Sequence, residues 1–141
     1  MTQLVGYSTA IRNVRMSAVL AAIDAGGSAG ILTIYGGTRP STGGIPPTAL
    51  VTYPLGTVSG TKPSGSVSGG SLAILTNGST GVTATNSGTA TWARITTSDG
   101  VFCLDCNVGT SGCDINLSTT TIVIGGKVTI TSGGLFQEGN L

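Results

Sequence analysis

The sequence predicts a mainly β fold, an antiparallel sandwich or barrel carrying one short N-terminal α-helix. Three observations lead there. Beyond Gly27, short β-prone runs alternate with clusters of Gly, Asn, Asp, Ser and Pro, which is how antiparallel strands and their turns read. Only one stretch, near the N-terminus, recurs at helical spacing. The 141 residues include 24 glycines but only 8% charged residues, where about 25% is usual. One domain is expected over residues 1–141: a helix over about 8–25, strands over about 30–133 and a short C-terminal tail.

The helix is set by its ends. Ser8 supplies an N-cap hydroxyl, Ile11, Val14, Ala18 and Ala21/Ala22 recur on one face, and Gly26 and Gly27 stop the element. Its apolar part, MSAVLAAI (Met16 to Ile23), follows Arg12 and Arg15 and so imitates a secretory signal, but Asp24 ends the run early and a retained helix explains the same residues better. The run is far shorter than the roughly 20 residues of a membrane span. Strands are expected in GILTIYGG, TALVTYPLG, GSLAILT, GVTAT, GTATWARIT, VFCLDCNV, DINLSTTTIVI and KVTIT. The stretches from Thr38 to Pro47 and from Thr57 to Gly70 read as long surface loops suited to contacts. Gly125–Lys127 reads as a hairpin turn joining TTIVI to KVTIT, and Asn77-Gly78 as another turn.

Asp99-Gly100 lies between two β-prone runs and predicts a two-residue hairpin turn. That turn would pair Ser98 with Val101, Thr97 with Phe102, Thr96 with Cys103, Ile95 with Leu104, Arg94 with Asp105, Ala93 with Cys106 and Trp92 with Asn107. One face would then carry Thr97/Phe102, Ile95/Leu104 and Ala93/Cys106, and the other an opposite-charge pair, Arg94/Asp105. Alternation would also place Cys103 and Cys106 on opposite sides of the sheet.

All three cysteines fall within CLDCNVGTSGC, Cys103 to Cys113, which opens with a C-x-x-C spacing. A strand cannot turn Cys103 and Cys106 onto one metal ion, and a structural zinc needs four Cys or His ligands where the chain has three cysteines and no histidine. A redox C-x-x-C belongs at a helix start. Reduced packing cysteines are expected, with a bridge from Cys103 or Cys106 to Cys113 as the alternative.

Few features point to catalysis. GSVSG, Gly65 to Gly69, has glycines spaced like those of an esterase nucleophile elbow, but no histidine exists to act as base. The four aspartates and one glutamate are scattered and form no calcium loop. Asn77 and Asn116 begin sequons that matter only in a glycosylating pathway. No catalytic, cofactor-binding or metal-ligating residue is assigned, and no enzyme activity is expected. Six dispersed cations against five anions do not make the basic face that nucleic acid requires. Neither nucleic acid nor membrane is expected as a partner. A surface of Gly, Ser and Thr, poor in the charge that keeps monomers apart, suits self-association or assembly, and equally an ordinary secreted β-domain, which can have similar composition.

Three stretches resemble a group of small virion proteins of tailed bacteriophages: YSTAIRNVRMSAVLAAIDAGGSAGILTIYGGTRP, GTATWARITTSDGVF and VGTSGCDINLSTTTIVIGGKVTITSG. The shared pattern is a short helix, an apolar strand ending in Tyr-Gly with a nearby Pro, a W-x-R hairpin and a Thr-rich terminal hairpin, across roughly Tyr7 to Gly134. The cysteines are not part of it. The resemblance implies a jelly-roll-like fold and a role in the virion as a capsid decoration or cement protein. Its partners would be the major capsid protein and further copies of itself. A tail or baseplate protein, or a carbohydrate-binding adhesin module, is the alternative, and a groove of exposed tyrosines would favour the adhesin.

Overall fold

Ser8 accepts a hydrogen bond from the Ile11 amide at 3.2 Å and so starts α1 (Thr9–Ile23), which ends at Asp24 ahead of Gly26 and Gly27. The computed structural model describes residues 6–76 and 81–137, and the Asn77-Gly78 turn expectation and the Asn77 sequon lie outside the described residues. The helix bounds agree with the sequence, but its buried face does not. Met16 and Ile23 are buried, with Val19 and Leu20 packed beside them, whereas Ile11, Val14, Ala18, Ala21 and Ala22 are exposed. Both sets recur at helical spacing, so periodicity alone could not choose between them.

Among the described residues twelve strands follow: β1 (Ile31–Gly36), β2 (Val51–Pro54), β3 (Gly65–Ser68), β4 (Ser71–Ile74), β5 (Val82–Thr83), β6 (Gly88–Thr96), β7 (Phe102–Gly109), β8 (Ile115–Leu117), β9 (Thr121–Ile122), β10 (Lys127–Val128), β11 (Ile130–Gly133) and β12 (Leu135–Gln137). The protein is thus mainly β with one helix. The largest sheet runs β11-β8-β7-β6-β1-β2, with β9 joined to the first residues of β6. β12-β4-β3 and β10-β5 form smaller sheets. Register shifts in β1/β6, β6/β7 and β8/β11 let the large sheet curl.

Several expectations are corrected by this pairing. β7 and β8 run parallel, so the sheet is not wholly antiparallel. DINLSTTTIVI divides into β8 and β9, and KVTIT into β10 and β11. A turn does form at Val123–Gly126, where the Gly126 amide donates to the Val123 carbonyl, but β9 pairs with β6 and β10 with β5, so no hairpin joins them. The stretch from Thr57 to Gly70 is not all loop, since it contains β3, and the C-terminal tail supplies β12. β3 was hidden because GSVS carries one apolar side chain. Its backbone ladder to β4, not burial, makes it a strand.

The β6–β7 hairpin shows how local errors can cancel. Thr96 pairs with Phe102, and the Thr97 amide donates to the Val101 carbonyl, so the loop holds three residues, Ser98 to Gly100, instead of two. Gly100 occupies its left-handed position at φ 87°. The register then shifts between Ile95 and Thr96, making Cys103 an extra residue opposite no partner. That bulge restores the expected pairs Ile95/Leu104, Arg94/Asp105, Ala93/Cys106 and Trp92/Asn107. The expected pairings Ser98/Val101, Thr97/Phe102 and Thr96/Cys103 do not form. Replacing Gly100 with Val should lower stability by about 1–2 kcal/mol, because nothing crowds the site and only the positive φ opposes the side chain. Unchanged urea denaturation would remove that conformation from the account.

The core lies on one face of the large sheet. Leu32, Ile34, Val51, Tyr53, Ala93 and Ile95 meet Leu72 and Ile74 of the small sheet and Met16 and Ile23 of α1 in one cluster. The helix end is tied in by Ser64, whose hydroxyl donates to the Asp24 carboxylate and accepts from the Gly30 amide at 2.6 Å.

Candidate functional site

The other face of the large sheet carries a second, smaller buried layer centred on Arg94. Tyr35 and Trp92 are cross-strand partners on β1 and β6, and their rings stack at 4.5 Å. Arg94, two residues further along β6, lies on the same face. Its guanidinium carbon sits 5.4 Å from the Trp92 ring centre and 4.8 Å from that of Phe102. Nε and Nη2 donate to the two Asp105 oxygens at 2.7 and 3.0 Å, a bidentate pair whose side chains are 7% and 6% exposed. The Asp105 contact raises the Arg94 pKa further above its ordinary value, against the opposing effect of burial.

One Arg94 donor is left over, and it fastens a loop. Nη1 donates to the Gly44 carbonyl at 2.8 Å, and Gly43 lies against the edge of the Phe102 ring. The segment between β1 and β2 is therefore held across the aromatic-arginine layer through the Gly44 carbonyl. The next residue, Ile45, is 93% exposed and is followed by Pro46 and Pro47. From Pro40 to Ala49 the loop has no charge. A fixed base under an apolar, proline-stiffened tip loses little conformational entropy on binding. This stretch is a surface loop, as its Gly, Ser and Pro content predicts, but the Arg94 bond that holds it is a long-range contact with no local signal.

The cysteine segment offers different chemistry. All three cysteines are free, so neither Cys103 nor Cys106 is bridged to Cys113. The bulge also overturns the opposite-face argument for the first two: Phe102 lies under Arg94, while the Cys103 sulfur is 3.9 Å from the Ala22 carbonyl of α1 and packs beside the same core as Cys106. Burial pushes the Cys106 thiol up to about 12, with the Asp114 and Asp105 carboxylates adding to the effect. Burial raises Cys103 as well. A protonated, buried thiol such as that of Cys106 is a poor nucleophile. Among the described residues, no three His, Cys, Asp or Glu side chains are grouped to hold a metal ion.

GSVSG forms β3 and a glycine turn into β4, with no following helix, and its central position is Val67, not serine. Asn116 is buried, donating to the Cys113 carbonyl and the Ser132 hydroxyl, so its sequon is engaged within the fold. Among the described residues no helix is long and apolar enough to cross a membrane. The tyrosines do not form an exposed groove: Tyr53 and Tyr35 are buried, and Tyr7 is exposed with Arg15 over its ring. Comparison with protein-family models, with curated proteins and with solved structures found no match to this chain.

Proposed function

We propose that this is a non-enzymatic structural protein of a tailed-bacteriophage virion. In this reading it is a capsid decoration or cement protein that binds the major capsid protein and stabilises the shell. The observation that carries the reading is the Arg94-anchored loop with Ile45 at its tip. It is an uncharged, preorganised apolar contact on a stable sheet scaffold, suited to seating against a neighbouring subunit without desolvating charge. The resemblance of the helix, the W-x-R hairpin and the Thr-rich C-terminal region supplies the particle, and with it a jelly-roll-like arrangement of the two layers. Self-association belongs to the same reading, and neither nucleic acid nor membrane is a partner in it. The tail or adhesin alternative loses support because the aromatics are spent in packing: Trp92, Tyr35 and Tyr53 are buried, leaving no tyrosine platform on which a sugar could stack.

A ligand selective for the assembled lattice must stabilise that lattice. Particles made without this protein should still assemble, yet release DNA at lower temperature or under milder osmotic shock. Added protein should restore resistance even in roughly 0.5 M salt, where charges are screened within a few ångströms. Ile45→Asp should fold normally and fail to restore it. Depleted particles that are equally robust but no longer adsorb to cells would replace this reading with the tail or adhesin alternative.

A further inference from the structure

A solvated helix face normally carries Lys and Glu, but none of the exposed residues of α1 is charged. Met16, Val19, Leu20 and Ile23 turn inward, so the helix is apolar on two sides. The outward side is shaped unevenly. Its N-terminal half projects two large side chains, Ile11 and Val14, the latter 70% exposed. Its C-terminal half offers only small side chains, Ser17, Ala18, Ala21 and Ala22, and beside them opens a groove of about 460 Å³ between α1 and the β6–β7 hairpin, walled by Ala22, Ala25, Val101, Phe102 and Cys103.

We infer that a second copy of this chain docks on this face, its α1 antiparallel to the first across a two-fold axis near Ala18. Ridge and hollow lie at opposite ends of one helix, so a two-fold antiparallel pairing sets Ile11 and Val14 of each copy against the alanines and groove of the other. A parallel pairing would set ridge against ridge. The charges agree with this arrangement. Arg15 follows Val14 on the helix with its guanidinium over the Tyr7 ring, and Asp99 lines the groove beside Gly26 at the far end, so antiparallel docking brings each Arg15 toward the end that carries the other copy's Asp99. The antiparallel helix dipoles favour the same orientation. Alanines at the crossing let the two backbones approach closely.

The contact is modest. A helix of 15 residues is about 22 Å long. With the hairpin beside it, the face covers on the order of 500 Å² per copy, below the roughly 800 Å² of a standard stable interface. The dimer is therefore expected to dissociate on dilution. This inference gives a surface to the self-association in the proposed function, and it does not depend on Ile45 or on any capsid contact.

Sedimentation velocity of the full chain from about 5 to 500 µM tests it. The expected result is a concentration-dependent shift from one to two copies. Ala18→Glu should raise the midpoint at least tenfold while leaving circular dichroism and the melting temperature near those of the parent. Val14→Lys, at a strongly exposed position, gives a second reading should Ala18→Glu unfold. Arg15→Glu and Asp99→Lys should each weaken association, and the double variant should recover it. Ile45→Asp should leave the dimer intact, which separates failure of this surface from failure of the capsid reading. A parent chain that stays monomeric at 500 µM, a mass of three or more copies, or folded helix variants that associate as well as the parent would each overturn the proposal.

Discussion

Asp105→Asn should destabilise the protein by about 3–5 kcal/mol, the range for removing one partner of a buried ion pair. The substitution keeps the shape of the side chain and removes its charge, so Arg94 is left buried between Trp92 and Phe102 without a counter-ion. Arg94→Ala should cost a comparable amount and also release the loop at Gly44. An exposed cross-strand pair would couple by only about 0.2–1 kcal/mol. Here, with both side chains less than a tenth exposed, a double-mutant cycle should exceed that range. Replacing both residues with apolar ones, as in Arg94→Met with Asp105→Leu, should recover much of the loss, because no charge is then left unpaired. Urea denaturation of the parent, the two single variants, their double variant and the Met/Leu variant measures all of this. Single variants costing under 1 kcal/mol would mean that water reaches the pair, and the anchored-loop account would fall with it.

Stability should also fall steeply above pH 9. Burial pushes the Cys106 thiol from 9.0 to about 12 and the Tyr53 phenol from 10.0 to about 12, the latter against an opposing hydrogen bond from the Val82 backbone. The Tyr53 hydroxyl donates to the Val128 carbonyl, which also requires the protonated form. Both groups are raised in the folded state, so their contribution is fully present below the unfolded values. Between those values and pH 12 the unfolded chain releases protons that the folded chain retains, and the difference drives unfolding. At about 1.4 kcal/mol per pH unit, the loss by pH 12 is on the order of 4 kcal/mol for Cys106 and 3 kcal/mol for Tyr53. That is a large part of a typical domain's stability. Cys103 acts in the same direction. Urea midpoints at pH 8 and pH 11 should differ strongly in the parent and much less in a Cys106→Ala, Tyr53→Phe variant. Equal slopes would show that these two groups do not control the alkaline limit.

What the sequence by itself determined is local. Ser8 and the glycines after Asp24 set the helix ends, since capping and positive φ are properties of single residues and their neighbours. β1, β2, β4 and β6 stand where alternating β-prone runs placed them, and Asp99-Gly100 marked a real turn. The pairing Arg94/Asp105 was legible because opposite charges and apolar faces fit one register.

Only the tertiary structure decided what depends on the remainder of the chain. The buried side of α1 was undetermined because both of its sides are apolar at helical spacing, and contact with β3, β4 and β7 selects Met16 and Ile23. The strand character of β3 and β12 comes from ladders to β4, which give no apolar pattern to read. The parallel β7–β8 pair and the separate partners of β9 and β10 join segments whose proximity no local rule states. The Cys103 bulge followed from a loop one residue longer than its turn signal implied, and it moved one cysteine to the helix side. The candidate contact site belongs to the same class. Arg94 could be paired from sequence, but its burial under Gly43 and Gly44, about fifty residues earlier, is a long-range contact, and that contact turns a surface charge pair into the anchor of an exposed loop.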